Sequence, residues 1–118
     1  MSSSRSCSAT GWWEQRYYGR QTMYDLVLHF AGERITGSGE DIVGPFTLEG
    51  TLDATGHVRL HKQYLVRHAV EYFGQYDGEG TFVGEWVVWL DRGPWCIRLQ
   101  SPCEARPVEL VEIVPVTR

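Results

Sequence analysis

From residue 44 to residue 76, apolar and polar side chains alternate with one parity through three successive runs. Phe46, Leu48, Gly50 and Leu52 alternate with Thr47, Glu49, Thr51 and Asp53. Val58, Leu60 and Tyr64 alternate with Arg59, His61 and Gln63, and then Val70, Tyr72, Gly74 and Tyr76 with Glu71, Gln75 and Asp77. A period of two is the signature of a half-buried strand. Shared parity across consecutive runs means that all three strands present their apolar side to one interior.

The rest of the chain agrees with that pattern. No stretch places apolar residues at helical spacing. Runs rich in Val, Ile, Leu, Thr and aromatics predict strands over 12–18, 23–30, 34–38, 44–53, 57–65, 68–76, 81–90, 94–100 and 108–115. Gly- and Asp-bearing links at 19–20, 31–33, 53–56, 77–80 and 91–93 supply turns. Short links favour an antiparallel meander. An open sheet of eight or nine strands would leave bare edges and one bare face, so the fold class is all-β, with the meander closed into a small up-and-down barrel. The Ser-rich segment 1–10 has no periodicity and is expected to be a disordered arm, leaving residues 11–118 as a single domain. A chain of 118 residues has room for one core and no second one.

Thirteen glycines, five tryptophans and six tyrosines acquire a meaning in such a barrel. Gly11, Gly44, Gly74, Gly84 and Gly93 each stand two places before an aromatic residue, so that glycine and ring face the same side of a sharply coiling strand. If Tyr76 pairs with Phe82, then Gly74 lies opposite Gly84 and Tyr72 opposite Trp86. The glycine pair leaves interior volume for a ring or for a ligand.

Gly11 and Trp13 form a Gly-x-Trp motif at the first strand of the domain, and here the chain resembles the calycin barrels, the superfamily of lipocalins, fatty-acid-binding proteins and avidins. The meander is most similar to avidin-like or minimal lipocalin-like members. The resemblance implies a small molecule bound inside the barrel. It also implies a Trp13 that closes one barrel end against a basic residue from a late strand, with Arg98 as the candidate and Arg118 as the alternative. No avidin ligand set can be placed on this chain, and no lipocalin helix is visible.

Lys62 sits at an inward position between Leu60 and Tyr64, facing Leu48 if Leu52 pairs with Val58. A buried ammonium needs an acidic partner, a route to solvent or an anionic ligand. Glu112, in parity with Val108, Leu110 and Val114, is the expected partner. Tyr64, Tyr72 and Trp86 share the inward facing and combine apolar bodies with polar handles, the composition of a pocket wall or of a plain core. The expected ligand-binding set is therefore Lys62, Tyr64, Tyr72, Trp86 and Glu112, for a small apolar or anionic ligand, with no cofactor and no catalytic residue assigned.

Other chemistries fit less well. His57 and His61 are about 13 Å apart along a strand and cannot share an ion, so no metal site is expected. The segment 37–41 lacks the ligand spacing of a calcium loop and the Lys-Ser/Thr of a phosphate loop, and is expected to be a mouth connection. No nucleophile context such as G-x-S-x-G occurs, which leaves an isomerase- or cyclase-like use of Lys62 with a Tyr as the enzymatic alternative. Cys7, Cys96 and Cys103 show no paired spacing and are expected to be free thiols, with Cys96–Cys103 as the pair most able to meet. A net charge of −4 without a basic cluster argues against nucleic acid. The absence of a long apolar run argues against a membrane span, so no membrane partner is expected, and, with no signal-peptide stretch, it argues for a cytoplasmic setting. Val83, Val87 and Trp89 make the other face of the 81–90 strand apolar as well. That strip implies a homodimer or an interaction domain with a filled core.

Overall fold

The computed structural model describes residues 3–100 and 103–107. It contains nine strands: β1 (Ser3–Gln15), β2 (Gly19–Ala31), β3 (Arg34–Asp41), β4 (Gly44–Leu52), β5 (His57–Tyr64), β6 (Ala69–Tyr76), β7 (Thr81–Val88), β8 (Asp91–Leu99) and β9 (Glu104–Pro107). Strands β1 to β8 pair antiparallel in chain order, and β1 pairs with both β2 and β8, which closes an eight-stranded up-and-down barrel. β9 lies beside the first residues of β1, beyond the reach of β8.

The alternation sets the register. Leu52 pairs with Val58 and Leu48 with Lys62, while Tyr76, Gly74 and Tyr72 stand opposite Phe82, Gly84 and Trp86. The inward residues of β1 to β8 merge into one core in which Leu28, Ile35, Phe46, Leu60, Phe82 and Trp95 are all buried. At roughly 1.5–3 kcal/mol per fully buried large apolar side chain, this shared interior is the main source of stability.

Three expectations need correction. Residues 3–10, expected as a disordered arm, are the first half of β1, where Cys7, Ala9, Gly11 and Trp13 share one parity and Ser4 to Ala9 pair with β2. Residues 37–41, expected as a connection, complete β3, and the turn there shrinks to Ile42 and Val43. The cysteines are not all free: Cys7 is bonded to Cys103, with a Cα–Cα distance of 4.4 Å, and Cys96 is the free thiol. The bridge ties the segment after β8 back to β1. The strand expected over 108–115 lies outside the described residues, as do Glu112 and Arg118.

Of the five glycines that precede an aromatic, Gly74 and Gly93 are covered by rings, and those rings come from other strands. A Cβ on Gly74 would meet the Trp95 ring at 2.8 Å, and one on Gly39 the Phe46 ring at 2.8 Å. Trp86 covers Gly93 in the same way. The volume beside Gly74 and Gly84 is thus filled by Trp95, whose indole N–H donates to the Phe73 carbonyl at 3.1 Å.

Candidate functional site

An up-and-down barrel sorts its turns between two ends. Residues 16–18, 42–43, 65–68 and 89–90 gather at one end, and the turns at 32–33, 53–56 and 77–80 at the other. A cavity of about 390 Å³ opens at the first end, within the range of small-molecule sites. Trp13, Tyr64, Val70, Tyr72, Trp86 and Val88 wall it from the strands, and Tyr18, Ile42 and His68 reach it from the turns. Trp13 meets Trp86 edge to face at 6.2 Å, which fixes both rings against the cavity.

The floor is a closed polar cluster. Lys62 is 0% exposed, and its ammonium donates to Asp41 Oδ2 at 2.7 Å and to the Tyr72 hydroxyl at 3.1 Å. The same Asp41 oxygen accepts from the Tyr64 hydroxyl at 2.7 Å and from the Trp13 indole at 3.0 Å. Asp41 Oδ1 accepts from the Val43 amide at 2.9 Å. The ammonium also lies within cation–π distance of Phe46, at 4.2 Å, and of Tyr64, at 4.9 Å. β3 brings Asp41 inward because Ile35, Gly37, Gly39 and Asp41 share one parity.

Each group in the cluster has its acidity moved by a nameable cause. Burial pulls Lys62 down to about 8, outweighing the attraction of Asp41. Burial pushes Asp41 up, but the Lys62 charge and the hydrogen bonds from Lys62, Tyr64 and Val43 more than reverse this and hold it below the usual carboxylate range. Burial and the Asp41 charge raise both Tyr64 and Tyr72. At neutral pH the floor is an ion pair between two neutral phenols.

Of the residues expected to form a site, Tyr64, Tyr72 and Trp86 line one cavity. Lys62 lies sealed beneath it and meets Asp41 as its acidic partner, while Glu112 falls outside the described residues. Asp41 is the residue that sequence reasoning missed. The cation near the Trp13 ring is Lys62, at 5.6 Å, whereas Arg98 donates to Thr81. His61 faces outward and pairs with Glu71 at 2.5 Å. On β7, Val83 is exposed, but Glu85 interrupts the strip and Trp89 belongs to a turn. No described helix is long and apolar enough to cross a membrane.

The fold and site define a closed antiparallel barrel with an aromatic-walled cavity at one mouth. Comparison with protein-family models, with curated proteins and with solved structures finds no match.

Proposed function

We propose that this protein is a calycin-like, non-enzymatic binding barrel that takes a small, largely apolar, uncharged molecule into the cavity at its open mouth. The observation that carries the reading is the combination of an apolar aromatic wall with a floor whose charges are already matched. Asp41 satisfies Lys62, so an anionic ligand would have to compete with a buried carboxylate for the ammonium. Tyr72 accepts from Lys62, and its hydroxyl hydrogen has no acceptor among the described residues. A ligand carrying one carbonyl, ether or hydroxyl oxygen fits beside it. The enzymatic alternative depends on a reactive Lys62, and an enclosed, ion-paired ammonium favours binding over turnover. The Cys7–Cys103 bridge favours an oxidising compartment over the cytoplasmic setting expected from the missing signal-peptide stretch.

The test uses the neutral dye N-phenyl-1-naphthylamine and a matched pair of competitors, decanol and decanoate. The dye brightens on binding to the native protein, decanol displaces it more effectively than decanoate, and Val70→Trp, which fills the cavity, removes the signal while the protein stays folded. Tyr72→Phe weakens decanol by about tenfold, the worth of one hydrogen bond in a dry site. Dye binding that survives Val70→Trp, or decanoate bound more tightly through Lys62, would overturn the proposal.

A further inference from the structure

The two ends of the barrel differ in chemistry far more than folding requires. The turns at the far end, residues 32–33, 53–56 and 77–80, contain Gly32, Gly56, Gly78 and Gly80, four acidic residues and no Lys or Arg. Asp53 and Asp77 fold their turns by accepting backbone amides. The turns around the cavity mouth read Arg-Tyr-Tyr, Ile-Val, Leu-Val-Arg-His and Trp-Leu. They contain no acid. Seven of the ten large apolar side chains exposed among the described residues belong to these four turns.

Local folding does not account for them. Trp89 is 94% exposed and Val66 fully so, and both adopt left-handed backbone, with φ of 53° and 56°. Such positions favour Gly or Asn, and a β-branched residue there is an outlier. Trp89 begins a two-residue hairpin turn at the position where glycine is the usual choice. These side chains occupy strained, solvent-facing sites without packing onto the barrel.

We infer that the cavity-bearing end of the barrel docks onto an anionic lipid bilayer, with Tyr17, Ile42, Val66, Trp89 and Leu90 entering the interface and Arg16 and Arg67 meeting headgroup phosphates. The 16–18 and 89–90 tips meet in one groove, but the Ile42 and Val66 tips stand on other turns around the open mouth, so the four do not make the continuous face that a rigid protein partner needs, whereas a fluid interface meets all of them at once. Amphipathic Trp and Tyr rings suit the headgroup level, and basic side chains among apolar ones select anionic leaflets. Charge complementarity gives the orientation. Arg16 and Arg67 are the charged tips, and the acidic turns lie at the opposite end. Nearer the strands, Glu14 is paired with Arg20, Arg92 with Glu85, and Asp91 accepts from Gln15, leaving Glu40 and, on the adjacent strand, Asp25 as exposed acids set back from the rim. Absence of a spanning segment, the ground for expecting no membrane partner, does not bear on surface docking. The inference does not depend on what enters the cavity.

Co-sedimentation with phosphatidylcholine vesicles, with and without phosphatidylserine, tests it. The wild-type protein sediments with the phosphatidylserine vesicles. Trp89→Gly combined with Leu90→Ser lowers that partitioning at least about tenfold, and Arg16→Gln with Arg67→Gln removes the preference for phosphatidylserine. Trp89→Gly alone keeps or raises the melting temperature while weakening vesicle binding, a split that a purely structural role for Trp89 cannot produce. Dye binding in the cavity is unchanged in all these variants. Folded protein that ignores both vesicle types, or binds them equally well after the Trp89 and Leu90 changes, overturns the inference. So does a dimer in light scattering that those changes dissolve, which would make a second copy the occupant of this end.

Discussion

Asp41 and Lys62 illustrate how one buried ion pair organises its surroundings. Removing two charges from water costs several kcal/mol each, and a bare contact does not recover that. Here the carboxylate accepts four hydrogen bonds and the ammonium gains a phenol and aromatic faces. Either partner alone would be an uncompensated interior charge. Asp41→Asn, which strands the ammonium, is therefore expected to destabilise the fold by about 3–5 kcal/mol. Lys62→Met is expected to cost less, because burial already penalises the ammonium, and the double variant clearly less than the two together. Urea denaturation of the four proteins measures this, and simple additivity would show the pair to be uncoupled. Lys62 is legible from the sequence as an inward charge needing an acid, because the alternation on both sides of it is regular. Its partner is not, because Gly37, Ser38, Gly39 and Glu40 have the composition of a loop and hide the parity that carries Asp41 inward.

At the scale of strands, the barrel is held tight by glycines at which backbones, not only rings, approach. A Cβ on Gly84 would run into the Phe73 carbonyl and stand 2.5 Å from the Gly74 Cα. These are backbone atoms in the middle of a paired sheet and cannot step aside. A Cβ on Gly39 meets the end of the Phe46 ring, which can turn. Gly84→Ala should cost about 3 kcal/mol or more and Gly39→Ala distinctly less, a ranking that thermal melts can check. The pairing of Gly74 with Gly84 follows from sequence because the short Asp77–Gly80 link fixes the register of its two strands. Which ring fills the space does not follow. Trp95 pairs with Gly84 and covers Gly74 one strand further on, a relation that exists only once the sheet has curved. The first half of β1 is hidden for a related reason. Its Ser-rich composition has weak strand preference, and it becomes a strand through β2, β9 and the bond from Cys7 to Cys103.

The whole molecule should respond to pH in a way set by both ends. On the acid side, Asp41 at the cavity end and Asp53 and Asp77 at the far end are all held below their ordinary range. A depressed carboxyl contributes stability that is present above the unfolded value near 3.8 and is lost as pH falls through the folded value, so both ends loosen together in acid. The alkaline side divides by residue type. Lys62 titrates at about 8 when folded and near 10.5 when unfolded, so between those values the unfolded chain binds the extra proton and stability rises with pH. Tyr64 and Tyr72 are raised above 10, so beyond that point the unfolded chain ionises first and stability falls. Maximum stability is thus expected at about pH 9–10, to the alkaline side of the common optimum. Urea midpoints should increase from about pH 7 to about pH 9 and drop by about pH 11. Lys62→Met should abolish the increase and leave the drop. A wild-type midpoint that declines steadily from neutral pH upward would mean that the Lys62 ammonium is stabilised, not penalised, by its place in the barrel floor.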